Sequence, residues 1–315
     1  MRVLVSGGTG LVGAAIIDQL LRANRGHHVR CLTRRPERPS PWGAAVPLVG
    51  GDVRDPASLR RALADTDCVI HCVQFPNHPV ENPRKGLTYE AIDGQGTVNL
   101  VAACRDAGVR RVIYLSGAGV RAGRAEPWFR AKWRAEEAIR TSGLEYVILR
   151  PSWIYGPRDR SLNRFVAFVR YLPVVPVIGN GQNRVQPIFV EDVGMVGARA
   201  VDEVAATNQV FELGGPQILT MDEVIRTIQR VLGRRQPLLH HPVGLVKLAA
   251  RLLALLPDPP LTPSAIDFLL MEELVDPGPA QQTFALQFRS LEEGLRTYLR
   301  PRSAAAHHPA PSTPS

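Results

Sequence analysis

At 315 residues, 45% hydrophobic and 21% charged, the chain can bury a substantial core, which excludes an intrinsically disordered protein. Its formal net charge of +9 comes from 38 basic and 29 acidic residues. The arginines are spread along the chain and are not interleaved with aromatics in a stripe, so they predict a solvated basic surface and no nucleic-acid partner. Cys31, Cys68, Cys72 and Cys104 lie in or beside apolar segments without metal-ligand spacing. They predict reduced thiols, a cytoplasmic compartment and no metal.

In chain order, apolar strands are predicted at 2–6, 28–33, 46–49, 68–73, 111–116 and 145–149. Helical patterns fall between them at 11–23, 57–64, 97–107 and 129–141. Strand–helix alternation with nearly continuous apolar strands predicts an α/β fold, a doubly wound parallel sheet of the Rossmann type covered on both faces. Because the first strand begins at residue 2, no signal peptide is expected. Residues 1–150 would form the dinucleotide-binding core. Residues 151–302 would complete the sheet and form a smaller C-terminal, substrate-side lobe, with 303–315 as a disordered proline- and alanine-rich tail. In the second part, "FELGG" (211–215) reads as a late strand, and 221–232 as a helix with a Thr220/Glu223 capping box. The apolar run 243–256, interrupted by Lys247 and Arg251, is too short to span a bilayer. It reads either as a packed helix or as a surface-active one giving a membrane-peripheral seat.

The stretch "VSGGTGLVG" (5–13) joins the first strand to the first helix. Gly7 suits the tight turn, Gly10 lets backbone approach a pyrophosphate, and Gly13 lets helix and strand pack closely. Thr9, Leu11 and Val12 complete this cofactor-binding turn, where free N–H groups and the helix dipole would hold the anion. The second strand ends "CLTRRPER". Arg34 and Arg35 stand where a carboxylate would select NAD, so NADP is the preferred cofactor and NAD the alternative.

These segments, with Gly51-Asp52, "CVIHCV" (68–73), "AIDGQGTVNL" (91–100) and "VIYLSG" (112–117), resemble an atypical or extended short-chain dehydrogenase/reductase. The stretches "RPSWIYGPRDRSLNRF" (150–165) and "VQPIFVEDVG" (185–194) resemble the branch of the NAD(P)-binding accessory subunit of respiratory complex I. The resemblance implies that Asp52 binds the adenine amino group with Val53 beside the ring, and that Cys72 and Val73 line the adenine-ribose side. It also implies that Asn99 holds a helix bend and a water near the lysine, and that Ser116, Lys132 and Pro151 line the cofactor cleft.

Active members carry Tyr-x-x-x-Lys on one helix, where the lysine lowers the phenol pKa for proton transfer. Here Lys132 is preceded four residues earlier by Trp128, whose indole cannot exchange a proton near neutral pH. The remaining catalytic candidates are Lys132, Ser116 and Tyr155, although Gly117 occupies the usual serine position and Tyr155 sits in a Gly156-Pro157 turn. The reading favours a cofactor-holding structural or redox-sensing protein with a degenerate site, partnered by a dinucleotide and by a protein complex or a membrane-peripheral partner. An active oxidoreductase or epimerase on a small carbonyl, quinone or sugar-nucleotide is the alternative.

Overall fold

The computed structural model describes residues 1–76, 81–253 and 262–300. The 303–315 tail and residues 254–256 of the apolar run lie outside the described residues.

The first six strands are β1 (Arg2–Ser6), β2 (His28–Thr33), β3 (Leu48–Gly50), β4 (Cys68–His71), β5 (Arg111–Leu115) and β6 (Glu145–Pro151). Beyond them come β7 (Ile154–Tyr155), β8 (Val175–Ile178), β9 (Arg184–Val185), β10 (Ile188–Phe189), β11 (Gln209–Leu213), β12 (Leu219–Thr220) and β13 (Leu238–His241). Seven strands form a parallel sheet in the order β3-β2-β1-β4-β5-β6-β11, and β7/β10, β8/β13 and β9/β12 form three small pairs. The order reverses between β1 and β4, so a crevice opens at their carboxyl ends, where ligands of such sheets bind.

Both faces are covered. Val3 and Val5 of β1 point into one apolar cluster and Leu4 into another, as a buried parallel strand requires. The Leu4 face is covered by α2 (Pro56–Ala62) and α3 (Gln95–Asp106) through Leu59, Leu100 and Cys104. Next to them α4 (Pro127–Arg140) packs Ala135 and Ile139 on β5 and β6. The opposite face is covered by α1 (Leu11–Ala23), α5 (Leu162–Tyr171), α6 (Val190–Arg199) and α7 (Met221–Leu232). Helix α7 carries the Thr220/Glu223 capping box and ends on Gly233 at φ 65°. Four shorter or outer helices follow: α8 (Val243–Leu253), α9 (Pro263–Leu269), α10 (Gly278–Thr283) and α11 (Leu291–Arg296).

Residues after 150 are integral to the core. Strand β11 extends the sheet beyond β6. Arg111, almost fully buried at the start of β5, pairs with Glu145 at 3.0 Å and donates to the carbonyls of Ala200, Val201 and Glu203 after α6. Helix α6 approaches α1 closely because Gly194 and Gly197 lack side chains. A Cβ at 194 would lie 2.9 Å from the Ala15 carbonyl, and one at 197 would lie 2.6 Å from Cδ1 of Ile16.

Several element boundaries differ from the sequence reading. The third strand starts at Leu48 and not at 46, because Pro47 has no N–H for the ladder, although its carbonyl accepts from Cys31 N at 3.0 Å. The fourth ends at His71, leaving Cys72 and Val73 in the loop that enters the crevice. Helix α3 starts at Gln95, after a π-helical turn over Glu90–Gly94.

The α1–α6 contact gives a stability prediction. Gly194→Val would force backbone apart, so we expect a loss of about 1–3 kcal/mol in chemical denaturation. An unchanged midpoint would show that the two helices can separate freely.

Candidate functional site

The crevice floor is the β1–α1 turn. Gly7 has φ +73°, in the left-handed region that favours glycine, and a Cβ there would lie 2.8 Å from the Cys72 carbonyl carbon. A Cβ at Gly13 would overlap the Gly7 carbonyl oxygen and lie 2.8 Å from Cα of Gly8, so glycine is needed for helix–strand packing. Gly10 is different. Its absent Cβ would meet nothing nearer than the Gly7 carbonyl at 3.1 Å, leaving open space on the side a ligand would take. Gly10 caps α1 without any side-chain hydrogen bond, so the N–H groups of Leu11, Val12 and Gly13 have no intrahelical acceptor. With Thr9 exposed beside them, they form a cradle for an anion.

At the ends of β2 and β3 the surface is basic. Arg34 and Arg35 are exposed immediately after Thr33. Asp52 is held by Arg54, at 2.7 Å from Nη2 and 2.9 Å from the backbone N–H. The Arg54 hydrogen bond keeps the Asp52 carboxyl below its ordinary pKa, with Arg34 adding a weaker pull. Arg54 is a third guanidinium at this edge that the sequence reading missed, although "GDVR" places it two residues after Asp52.

The Asn99 side chain faces Val53. It donates to the Val53 carbonyl at 3.0 Å and accepts from Gln95 at 2.8 Å. The helix irregularity lies earlier, at Glu90–Gly94, and Asp93 within it is the residue that meets Lys132, at 3.0 Å. This corrects the placement expected for Asn99: the deformed turn brings Asp93, one residue before its end, inward to the lysine.

Lys132 is 1% exposed, and Asp93 is wholly buried. The ammonium also donates to the Leu115 carbonyl at 3.2 Å and sits 5.2 Å from the Tyr114 ring centre. Burial alone would lower its pKa, but Tyr114 and Asp93 outweigh that and raise it, so the group stays charged. Burial pushes the Tyr114 phenol up to about 12. The second Asp93 oxygen accepts from Phe75 N at 2.9 Å, tying the crevice loop to the same pair. Beneath it His71 bridges Ser6 at 2.6 Å and Thr97 at 2.9 Å. Burial, aided by Lys132, pushes His71 down to about 3, so it stays neutral. Burial likewise pushes the Cys72 thiol up to about 12.

The other candidates point elsewhere. Ser116 donates to Glu136 of α4 at 2.6 Å, and Glu136, fully buried, also accepts from Arg150 at 2.7 and 2.9 Å. Pro151 ends β6 and its carbonyl accepts from Ala118 N at 2.9 Å. Tyr155 is fully buried in the C-terminal part, donating toward the Ser290 carbonyl at 3.2 Å. A Cβ at Gly294 would overlap its hydroxyl, and burial raises its pKa further. The structure therefore gathers Lys132, Trp128, Cys72 and Val73 around the crevice and places Ser116 and Tyr155 in separate structural networks.

Trp128 lies across Gly117. A Cβ on residue 117 would overlap Cη2 of the indole and lie 2.8 Å from Cζ2. Edge contacts with Phe129 (4.7 Å) and with Phe268 of α9 (5.6 Å) fix the ring. The segment after α9 continues over this side: Glu273 pairs with Arg124 at 2.7 Å, and Val275 N donates to Gln186 at 2.9 Å. On the crevice side Trp128 joins Val53, Val73, Phe75, Tyr89, Ile92 and Ala131 in an apolar cluster. Asp93, Glu136, Phe268 and Glu273 were not foreseen. Asp93 lies within "AIDGQGTVNL" and Glu136 four residues after Lys132, but neither carries a pattern of its own, and Phe268 and Glu273 are brought near only by the fold.

Among the described residues no cluster of His, Cys, Asp or Glu is placed to hold a metal ion, and no helix is long and apolar enough to cross a membrane.

Comparison with known proteins accords with this geometry. The chain is 30% identical over 230 residues to NADH dehydrogenase [ubiquinone] 1 alpha subcomplex subunit 9, mitochondrial, of Arabidopsis thaliana, covering 70% of this chain and 55% of that protein. It therefore spans little more than half of that relative's length. It is 29% identical to a (4-alkanoyl-5-oxo-2,5-dihydrofuran-3-yl)methyl phosphate reductase of Streptomyces griseus, covering 82% of each chain. The solved structure of MoeE5 in complex with UDP-glucose and NAD shares the fold, with TM-score 0.73 and 21% identity over 94% of this chain and 97% of that one. A family model described as NAD(P)H-binding matches residues 7–166, from the first glycine of the turn to α5. The resemblance to a short-chain dehydrogenase/reductase of the complex I accessory-subunit branch is upheld, and the chain belongs to the NAD(P)H-binding family.

Proposed function

We propose that this protein holds NADPH in preference to NADH and serves a structural or redox-sensing role, without the proton-transfer chemistry of its active relatives. The observation that carries this reading is the indole of Trp128 against Gly117, where the resemblance calls for a phenol and a serine hydroxyl. In the same region Lys132 is engaged by Asp93, and Ser116 by Glu136. Gly7, Gly10 and Gly13, with the amides of Leu11 and Val12, would hold the pyrophosphate. Arg34, Arg35 and Arg54 would face the 2′-phosphate, and Asp52, Val53, Cys72, Val73 and Asn99 would border the adenosine. The nicotinamide end would lie toward Pro151, Ser116 and the Trp128 cluster; when bound, the cofactor supplies a hydride donor or acceptor there. A cytoplasmic location, within a protein complex or at a membrane surface, belongs to the same proposal. The reductase relative from Streptomyces griseus favours a second reading, an active oxidoreductase that draws its proton from water.

Three experiments test these statements. Replacing Arg34 and Arg35 together with alanine should weaken NADPH about 10- to 100-fold and leave NADH nearly unchanged, as the loss of one or two charge-assisted hydrogen bonds predicts. Equal losses for both cofactors, measured by fluorescence titration, would remove the 2′-phosphate assignment.

Lys132→Ala should act first on stability. It leaves Asp93 a buried, unpaired carboxylate, which costs about 3–5 kcal/mol. Thermal unfolding with and without NADPH separates the outcomes: a selective loss of cofactor affinity at unchanged stability would place the ammonium on the cofactor instead.

The third experiment concerns the tryptophan. Gly117→Ser should cost about 1–3 kcal/mol beside Trp128 and much less beside Trp128→Tyr, a coupling that a double-mutant cycle reads directly. Single-turnover oxidation of bound NADPH with panels of carbonyls and quinones should show nothing above background for the native protein and weak reduction for the double variant. Robust native turnover would establish the second reading.

A further inference from the structure

The outer edge of the C-terminal part carries most of the exposed large apolar side chains. Of the eleven such residues among those described, nine lie in 171–174, at Leu239, on α8, or at Leu269 of α9. Pairing of β8 with β13 brings the first two groups together, register Leu239↔Pro176, and α8 begins two residues after β13 ends. On α8 the most exposed leucines are Leu245 (64%), Leu248 (53%) and Leu252 (66%). Their i, i+3, i+7 spacing forms one stripe, while Ala250 on the opposite side is buried. Tyr171, 80% exposed, stands at the other end of the patch.

The charge around this edge is mainly basic. Residues 160–190 and 234–257 contain no Asp or Glu, and they contribute Arg160, Arg164, Arg170, Arg184, Arg234, Arg235, Lys247 and Arg251. The carboxylates that reach them from neighbouring elements are paired: Asp267 with Lys247, Glu272 with Arg184 at 2.9 Å, and Asp222 with His240 at 3.0 Å. Arg170, Arg235 and Arg251 are exposed at the margins of the apolar patch.

We infer that this edge docks on an anionic lipid bilayer, with α8 lying in the interfacial plane. Its leucines would enter the boundary between headgroups and acyl chains, and the bordering arginines would meet lipid phosphates. A projecting tyrosine at the rim suits the same interface. A surround whose neighbouring carboxylates are already paired and which leaves arginines over complements a polyanionic plane; a protein partner would not require it. The inference deepens the peripheral location proposed above and is independent of the cofactor site.

Flotation of the full chain with phosphatidylcholine vesicles, with and without phosphatidylglycerol, tests it. The native protein should float with the anionic vesicles only, and added salt should release it. Leu245→Ser/Leu248→Ser/Leu252→Ser and, separately, Arg170→Glu/Arg235→Glu should each lower binding about tenfold, with NADPH affinity retained as the check on folding. The arginine pair lies off α8, so it tests the surface even if the leucine variant does not fold. Native protein that stays unbound at low salt overturns the inference, as does vesicle binding that both variants leave unchanged. Self-association abolished by the leucine changes, without vesicle binding, would assign the face to a second copy of the chain. Vesicle binding with no NADPH affinity would count against the cofactor reading alone.

Discussion

The space above Gly117 can hold one thing, and in this protein it holds the outer ring of Trp128. A side chain at 117 and an indole at 128 exclude each other, because a Cβ at the first would overlap Cη2 of the second. The two departures from the family pattern are thus one steric event read at two positions. The indole is also a packing centre: Phe129 meets it from its own helix and Phe268 from α9, and Arg124 lies 3.8 Å over the Phe129 ring while pairing with Glu273. Residues 268–275 are tied to α4 and its flanks through this contact and the Arg124–Glu273 pair. A phenol would leave part of that aromatic surface uncovered, so reverting one residue would loosen a strap as well as add a proton donor.

The charges nearest the indole obey a different constraint. Lys132 and Glu136 follow each other by four residues on α4 and turn to the protein interior, each saturated by fixed partners. Buried pairs of this kind stabilise little on balance, since desolvation offsets much of their attraction, but removing one member is costly. Their effect is to set the rotation of α4 against β5 and β6. That rotation carries Trp128, four residues before Lys132, to Gly117. The ion pairs position the aromatic contact even though they do not touch it.

Much of the fold was legible because it rests on local rules. Buried parallel strands show as apolar runs, Gly7 and Gly13 of the β1–α1 turn are forced by backbone geometry, and the capping box of α7 is a spacing of three residues. What the sequence hid depends on distant segments meeting. Asp93 reaches Lys132 through a π-helical turn that no periodicity announces, and Asn99, the polar residue with a recognisable place in the motif, turns instead to Val53. Tyr155 looked available because its neighbours are Gly156 and Pro157, yet α11 arrives from 136 residues further along and covers its hydroxyl. Arg54 was within reach of reasoning, since the residue after "GDV" must lie near Asp52.

The two halves of the crevice differ in how easily sequence change can alter them. The side at the β1–α1 turn is made from backbone: three N–H groups at the start of α1, with Gly7 and Gly13, whose replacements would collide with main-chain atoms. Few substitutions are tolerated there, but few others are needed, because the helix terminus supplies the positive potential whatever side chains surround it. Proton transfer asks more. It needs a phenol, a hydroxyl and a cation held together by side chains from β5 and α4, and one large ring on α4 removes the room for two of them. The anion cradle at the start of α1 therefore depends on none of the side chains that proton transfer would need.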